Sequence, residues 1–375
     1  MKGDSVGQLI MTGVPGKELD TETARLFRRV QPGAYILFGR NLESATQLRK
    51  LIDDLRDLSD IEPIITIDQE GGRVSRLRLI GNEPPNAQQL RDNNDIDLIR
   101  RHGDITARLL RLFGFNLDLC PVLDISFDDD AENSLRGRCY GKTVDQVVRN
   151  AGAFNDAMRE QGIASCGKHF PGYSAATSDA HYQLPRIART REELDNNELA
   201  VFREFIGRAR PPGAPGGIVD SMMICHGWYP CFESQPTPAT VSRRIVTELL
   251  RNEFGFQGLV MTDDLDMGAI LIRYRLDETI RLCLEAGNDI MMLCHRVPEI
   301  ENVLRILGTL PSDQIERAQK HIGEFKENLS PPQEFSESAF EAINQEIANL
   351  RTAVVGAEEV VAVVRERQIS PVERF

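Results

Sequence analysis

Two residues of one polar segment have the types and the spacing of an acid/base pair. The segment Lys168–Pro185 reads KHFPGYSAATSDAHYQLP and places Asp179 two residues before His181. A carboxylate close to an imidazole can orient the ring and raise its basicity, which makes histidine an effective proton donor and acceptor. The same spacing also fits a plainer arrangement, in which Asp179 caps a turn and His181 is a polar surface residue.

Two adjacent carboxylates follow an apolar run and are candidates for a nucleophile or a metal ligand. Asp263 and Asp264 come directly after Leu259–Thr262, which reads as a strand. Because neighbouring side chains on a strand point to opposite faces, only one of the two can readily face a common site. In the alternative interpretation both are solvated, or Asp264 or Asp266 caps the next helix.

The elements that would position these residues are short β-rich runs separated by segments of helical periodicity. This alternation builds parallel sheets, and eight repeats favour a closed (β/α)8 TIM barrel over an open doubly wound sheet. The predicted strands are Gly7–Val14, Gly33–Phe38, Pro63–Asp68, Phe115–Ile125, Ile163–Phe170, Met222–His226, Gly258–Asp263 and Asp289–Cys294.

Helix starts between these strands are marked by capping residues. Ser44 with Gln47, and Thr190 with Glu193, have the spacing of a capping box, and Ser242 precedes another apolar stripe. We expect the barrel to occupy residues 1–310 and a helical extension, packed on the barrel, to occupy residues 311–375. The stretch Pro211–Gly217 is predicted to be a loop, too short for a domain linker.

Polar residues at the carboxyl ends of barrel strands carry functional weight, because the active site of such a barrel lies there. Four predicted strand ends are polar, namely Asp68–Arg76, Lys168–Gly172, Cys225-His226 and Thr262–Met267. The adjacent pairs Cys225-His226 and Cys294-His295 lack the spacing of a structural zinc site. We therefore expect no metal.

Composition excludes several classes of partner. The 375 residues are 41% hydrophobic and 27% charged, with a net charge of −13, so nucleic acid and anionic membranes are not expected to bind. Seven scattered cysteines indicate free thiols in a reducing compartment. With neither a signal peptide nor a membrane span in the sequence, we expect a cytoplasmic protein.

Four motifs in order resemble glycoside hydrolase family 3, and specifically its single-domain β-N-acetylglucosaminidase branch. They are DQEGGRVSRL (Asp68–Leu77), NLDLCPVLDI (Asn116–Ile125), GKHFPGYSAATSDAHYQLP (Gly167–Pro185) and FGFQGLVMTDDLDMGAI (Phe254–Ile270). The resemblance extends from the first strand to about the eighth.

The resemblance implies a role for each matching residue. Asp263 would be the nucleophile that forms a glycosyl-enzyme, and His181 would be the general acid/base with Asp179 as its partner. Sugar hydroxyls and the acetamido group would be held by Asp68, Arg76, Arg138, Lys168 and His169. One departure concerns Tyr173–Ala175, where family members usually carry His-Gly-Asp. The loop must then be held by different contacts.

The resemblance also implies the activity. In family members that act on glucosides or xylosides, the proton donor is generally a Glu from a second domain. Here the proton donor must come from the barrel itself. A retaining exo-β-N-acetylglucosaminidase without a cofactor, acting on cell-wall muropeptides or chito-oligosaccharides as a monomer or weak homodimer, is therefore expected. The alternatives are another β-glycosidase, a β-N-acetylglucosaminide phosphorylase, and an inactive sugar-binding barrel.

Overall fold

A closed barrel of eight parallel strands forms the centre of the protein. The computed structural model describes residues 6–131, 133–176, 178–206 and 218–356. In chain order the strands are β1 (Ile10–Gly13), β2 (Ala34–Leu37), β3 (Ile64–Ile67), β4 (Leu117–Asp118), β5 (Ala164–Phe170), β6 (Ser221–Ile224), β7 (Leu259–Asp264) and β8 (Ile290–Leu293). Each strand pairs with its neighbours in sequence, and β8 closes the barrel against β1. The predicted TIM barrel is confirmed.

The strands are short apolar runs because both of their faces are covered. Every residue of β1, β2, β3, β6 and β8 is buried, between the barrel interior on one side and the helical ring on the other. Such runs are continuously apolar and do not alternate with polar residues. This continuous apolar pattern is what identified the strands in the sequence. A small antiparallel hairpin, Gln69–Gly71 with Val74–Ser75, follows β3 at its carboxyl end.

The fourth strand is much shorter than predicted. The expected run Phe115–Ile125 pairs as a strand only over Leu117–Asp118. Before it, the side-chain amide of Asn116 replaces a backbone partner, because its oxygen accepts from the Ile65 amide at 2.8 Å. After it, Pro121 has no amide hydrogen to donate to a ladder.

Helices surround the barrel. They are α1 (Thr21–Val30), α2 (Ala45–Asp57), α3 (Ala87–Asn93), α4 (Ile96–Phe113), α5 (Val144–Glu160), α6 (Arg191–Asn196), α7 (Glu198–Phe205), α8 (Gly268–Leu271), α9 (Leu276–Ala286), α10 (Ile300–Leu307), α11 (Ser312–Glu327) and α12 (Glu337–Val355), with a π-helical segment over Arg244–Glu253. No helix within the described residues combines the length and apolar character that a bilayer crossing requires.

The predicted caps are present, with one difference. Thr190 and Glu193 form the reciprocal box at the start of α6. Ser44 accepts the Gln47 amide, but the Gln47 side chain accepts from the backbone of Glu43 instead of returning to Ser44. The single helix predicted after Thr190 is divided into α6 and α7, since the backbone leaves helical geometry at Asn197.

The chain beyond β8 continues as helices against the outside of the barrel. α12 lies against α4, where Arg108 donates to both carboxylate oxygens of Glu346 at 3.0 and 2.6 Å and the ring of Phe340 lies 5.5 Å from that of Phe113. The division of the chain at residue 310 stays a prediction. The predicted loop Pro211–Gly217 and the chain from residue 357 onward lie outside the described residues.

Candidate active site

One pocket at the carboxyl ends of the strands gathers nearly all of the predicted site residues. It is lined by the predicted residues Asp68, Arg76, Arg138, Lys168, His169, His181 and Asp263, by other polar residues that include Arg73, Asp264, Asp266 and His295, and by apolar side chains of the barrel mouth. The remaining predicted residue, Asp179, contacts Nδ1 of the His181 ring. Residues from distant parts of the sequence therefore meet at one site, as the barrel topology requires.

A buried cluster of opposite charges forms the pocket floor. The ammonium group of Lys168 lies 2.8 Å from a carboxylate oxygen of Asp68 and 2.6 Å from one of Glu70. Arg138 donates to both oxygens of Glu70 at 2.8 and 2.7 Å. Arg76, only 1% exposed, approaches Asp68 at 3.4 Å. Fixed donors and acceptors of this kind suit the hydroxyl groups of a sugar.

Glu70 was missing from the sequence interpretation, although a signal for it existed. It follows Asp68 by two residues, a spacing that puts both side chains on one side of an extended chain. Its importance became visible only in three dimensions, because its partners Arg138 and Lys168 are far away in sequence.

Mutual pairing keeps the floor charged. Burial alone would raise the pKa of Glu70, but Arg138 and Lys168 outweigh it and hold that pKa well below its usual range. Asp68 behaves likewise: burial opposes ionisation, and Lys168 and Arg76 bring the net pKa shift downward. Conversely, burial alone would lower the pKa of Lys168, whereas Asp68 and Glu70 raise it. All of these groups are therefore ionised near neutral pH.

His169 is fixed by a second carboxylate that the sequence interpretation did not select. Its Nδ1 lies 2.7 Å from Oδ2 of Asp124, which is fully buried, and its Nε2 lies 3.4 Å from the guanidinium of Arg138. The carboxylate favours a proton on Nδ1, so that Nε2 is the acceptor side of the ring. Asp124 thereby determines the orientation in which His169 faces the pocket.

The Asp179 carboxylate holds both the ring and the backbone of His181. One oxygen lies 2.5 Å from the imidazole Nδ1 and accepts the His181 amide at 3.0 Å. Burial raises the pKa of Asp179, but its bonds to His181 outweigh this and the net shift is downward. Asp179 thus shapes the turn and also faces the imidazole as an anion, whereas His181 lines the pocket and is not the surface residue of the plainer interpretation.

The adjacent carboxylates at the end of β7 differ in their surroundings. Asp264 accepts amides of Cys294 at 3.2 Å and Asp266 at 3.0 Å, and its other oxygen lies 3.4 Å from His295. Burial, and after it the neighbouring carboxylate of Asp266, raises the pKa of Asp264 above its usual range. Because its oxygens are held by these neighbours, Asp264 is less available to react with a bound molecule than Asp263, whose Oδ1 accepts the Asp264 amide at 2.8 Å.

Asp266 stabilises the chain that follows β8. It accepts the backbone amides of His295 and Arg296 at 2.8 and 3.0 Å and the Arg296 side chain at 2.6 Å. The expectation that Asp264 or Asp266 caps the next helix is wrong, because α8 begins without a side-chain cap and both carboxylates instead accept amides of the chain after β8.

The histidine at the end of the sixth strand has a structural role. His226 is buried, with Nδ1 2.7 Å from the Thr240 hydroxyl and Nε2 2.8 Å from the Asp264 carbonyl oxygen. The His226 ring therefore stabilises the backbone at the end of β7. Within the described part of the chain, no group of three or more His, Cys, Asp and Glu residues could hold a metal ion.

Comparison with known proteins places the sequence in a family. Residues 3–325 match the family model described as "Glycosyl hydrolase family 3 N terminal domain". The chain is 32% identical over 309 residues to a β-hexosaminidase of Tolumonas auensis, a match that covers 82% of this chain and 89% of the relative. It is 34% identical over 304 residues to a β-hexosaminidase of Alkalilimnicola ehrlichii, with 80% and 84% covered.

Solved structures share the fold across nearly the whole chain. A glycoside hydrolase family 3 β-N-acetylglucosaminidase from Paenibacillus sp. str. FPU-7 has a TM-score of 0.81 at 30% identity, covering 93% of this chain and 68% of that one. NagZ from Neisseria gonorrhoeae has a TM-score of 0.77 at 27% identity, covering 91% of this chain and 97% of that one.

Proposed function

The chain belongs to glycoside hydrolase family 3, and we propose that it is a retaining exo-β-N-acetylglucosaminidase. The observation that carries the proposal is that Asp263 and His181 line one pocket, with Asp179 behind the imidazole. A charged floor that suits sugar hydroxyls supports it, as do relatives named β-hexosaminidase that match over most of the chain.

The proposed reaction has two displacement steps. In the first, a carboxylate oxygen of Asp263 attacks the anomeric carbon while His181 donates its proton to the departing glycosidic oxygen. In the second, the same imidazole removes a proton from water, which displaces Asp263 from the sugar. Two inversions give net retention. Asp179, held as an anion, stabilises the imidazolium in both steps.

The floor would bind the sugar in the orientation that this attack needs. Lys168 and Arg76 would donate to its hydroxyl groups, and Asp68 would accept from them. Glu70 pairs with Lys168 and Arg138 and so holds both cations in place. In this proposal, binding energy from the charged floor positions the anomeric carbon over Asp263.

A covalent label tests the nucleophile directly. After incubation with 5-fluoro-N-acetylglucosaminyl fluoride, which forms a slowly hydrolysed glycosyl-enzyme, we expect peptide mass spectrometry to find the sugar on Asp263. Asp264→Asn is the matched control and should still be labelled at Asp263. A label on Asp264, with Asp263→Ala turning over normally, would contradict the assignment.

The substrate class is tested by product analysis. With p-nitrophenyl glycosides, we expect the N-acetylglucosaminide to be cleaved far faster than the glucoside or xyloside. Adding inorganic phosphate should yield free N-acetylglucosamine and no sugar 1-phosphate. Preference for another glycoside, sugar 1-phosphate as product, or binding without turnover would each favour one of the alternatives named above.

We further propose cell-wall muropeptides or chito-oligosaccharides as natural substrates, a cytoplasmic location, and a monomer or weak homodimer. Chromatography of digests of defined muropeptides and chito-oligosaccharides, cell fractionation and light scattering would test these three points.

A further inference from the structure

The ring of Tyr173 contacts the acid/base loop, Ser178–His181, which carries the proposed proton donor. The side chain is only 4% exposed. Its hydroxyl oxygen accepts the amide of Ala180 at 2.9 Å, and its hydroxyl hydrogen is donated to the carbonyl oxygen of Ser178 at 3.0 Å. Ser178 and Ala180 are the two neighbours of Asp179. A single hydroxyl therefore holds the backbone on both sides of the carboxylate that orients His181.

The other end of Tyr173 is attached to the pocket floor. Its amide donates to Oδ1 of Asp124 at 2.6 Å, while Oδ2 of the same carboxylate lies 2.7 Å from Nδ1 of His169. The next residue is anchored too, because the Ser174 hydroxyl accepts the Ile125 amide at 2.9 Å. Tyr173 thus connects the sugar-binding side of the site to the acid/base loop.

The far side of the loop rests on the helix that follows the proposed nucleophile. The amide of Gly268, the first residue of α8, donates to the carbonyl oxygen of His181 at 3.0 Å, and that of Ala269 donates to Ala180 at 3.0 Å. The loop is therefore held between Tyr173 and α8. These two sets of contacts together determine where His181 lies relative to Asp263.

From this geometry we propose that Tyr173 is a positioning residue, which holds the acid/base loop in place over the pocket before any substrate binds. The inference rests on the proposed function for the role of His181. Tyr173 stands in Tyr173–Ala175, where the family pattern usually has His-Gly-Asp, so this hydroxyl supplies the different contacts that the departure requires. An imidazole at this position is shorter than a phenol and could not span to Ser178 and Ala180 in the same way.

The first test measures the loop itself and needs no activity. In Tyr173→Phe the ring remains but the Ala180 amide loses its acceptor, so we expect amide exchange at Ala180 to quicken by about tenfold, the effect of one net hydrogen bond. Tyr35→Phe is the matched control, since Tyr35 is a buried tyrosine of β2 that packs on Phe27. Exchange at Ala180 should be unchanged there.

The second test is kinetic and separates positioning from general stability. In Tyr173→Phe, kcat/KM for chitobiose, whose leaving group needs a proton, should fall about tenfold more than kcat/KM for a dinitrophenyl glycoside. Tyr173→His carries the residue usual in the family and should show the same selective loss. This second variant keeps the test valid if the phenylalanine variant folds poorly.

The outcomes distinguish this inference from the proposed function. A wild-type enzyme that cleaves no N-acetylglucosaminide would overturn the proposed function, whereas the exchange measurement would still report on the Tyr173 contacts. If the wild type is active, unchanged Ala180 exchange in both variants, or equal losses for both substrates, would overturn the positioning role alone.

Discussion

At the scale of single residues, the site works by giving chemically identical groups different surroundings. Asp263 and Asp264 are adjacent, yet burial raises the pKa of Asp264 above its usual range, and its Oδ1 accepts the amide of Cys294, the residue after β8. Asp179 is also partly buried, but its bonds to His181 keep its pKa below the usual range. These surroundings, and not the residue type, distinguish Asp264 from Asp179, and the proposed mechanism gives the nucleophilic role to Asp263.

The role of His181 gives a prediction at this scale. His181→Ala should slow the cleavage of natural oligosaccharides about 10²–10⁴-fold more than the first step with activated aryl glycosides, because phenolates leave without a proton. Burst kinetics with the aryl substrate measures that step. Azide should accelerate the second step and give a β-glycosyl azide, since an anion needs no general base. Equal losses for both substrate types, without azide rescue, would place the proton donor elsewhere.

At the scale of elements, the sequence predicted what depends on local patterns. Apolar runs identified all eight strands because parallel strands are covered on both faces. It failed where distant groups decide the outcome. Pro121 and the Asn116 side chain shorten β4, and Glu70 and Asp124 matter through partners that only the closed barrel brings within reach.

The junction of α6 and α7 shows a feature that periodicity could not reveal. The second helix begins with Glu198, which is fully buried, and neither of its carboxylate oxygens has a hydrogen-bond partner among the described residues. It packs on Gly172, whose φ of +122° and proximity to Glu198 leave no room for a side chain. Burial raises the pKa of Glu198 to about 7.

This carboxyl predicts a pH dependence of stability. A folded pKa above the usual value of 4.5 means that the protonated form is favoured in the folded protein. The contribution of the protonated Glu198 carboxyl to the free energy of unfolding is fully present below about pH 4.5. It is lost as the pH rises through 7. Glu198→Gln removes this dependence, so its free energy of unfolding relative to wild type should increase by about 3 kcal/mol between pH 4.5 and 8.

Denaturant unfolding at a series of pH values would measure this difference. Glu204→Gln is a suitable control from the same helix, because its carboxylate is not fully buried. A stability difference between Glu198→Gln and wild type that is constant across the pH range would contradict the prediction.

At the scale of the whole molecule, the last described helix reaches the pocket through two intermediate segments. α12 lies beyond residues 3–325 that match the family model. Its Arg351, 6% exposed, donates to the carboxylate of Glu83 at 3.0 Å and to the carbonyl oxygen of Pro84 at 3.3 Å. Pro84 in turn accepts the amide of Gly72 at 3.0 Å, in the hairpin that also contains Glu70.

These contacts predict that a residue outside the matched domain supports sugar binding. Arg351→Met keeps an unbranched apolar stem but removes the charged hydrogen bonds, so the free energy of unfolding should fall by about 1.5–3 kcal/mol. KM should rise more than kcat falls, because the hairpin loses support while Asp263 and His181 stay in place. Arg275→Met is the control, since Arg275 is 87% exposed and should change stability by no more than about 0.5 kcal/mol. Lower stability with unchanged KM would limit α12 to stabilising the barrel, and unchanged stability would mean that the contacts of Arg351 contribute nothing.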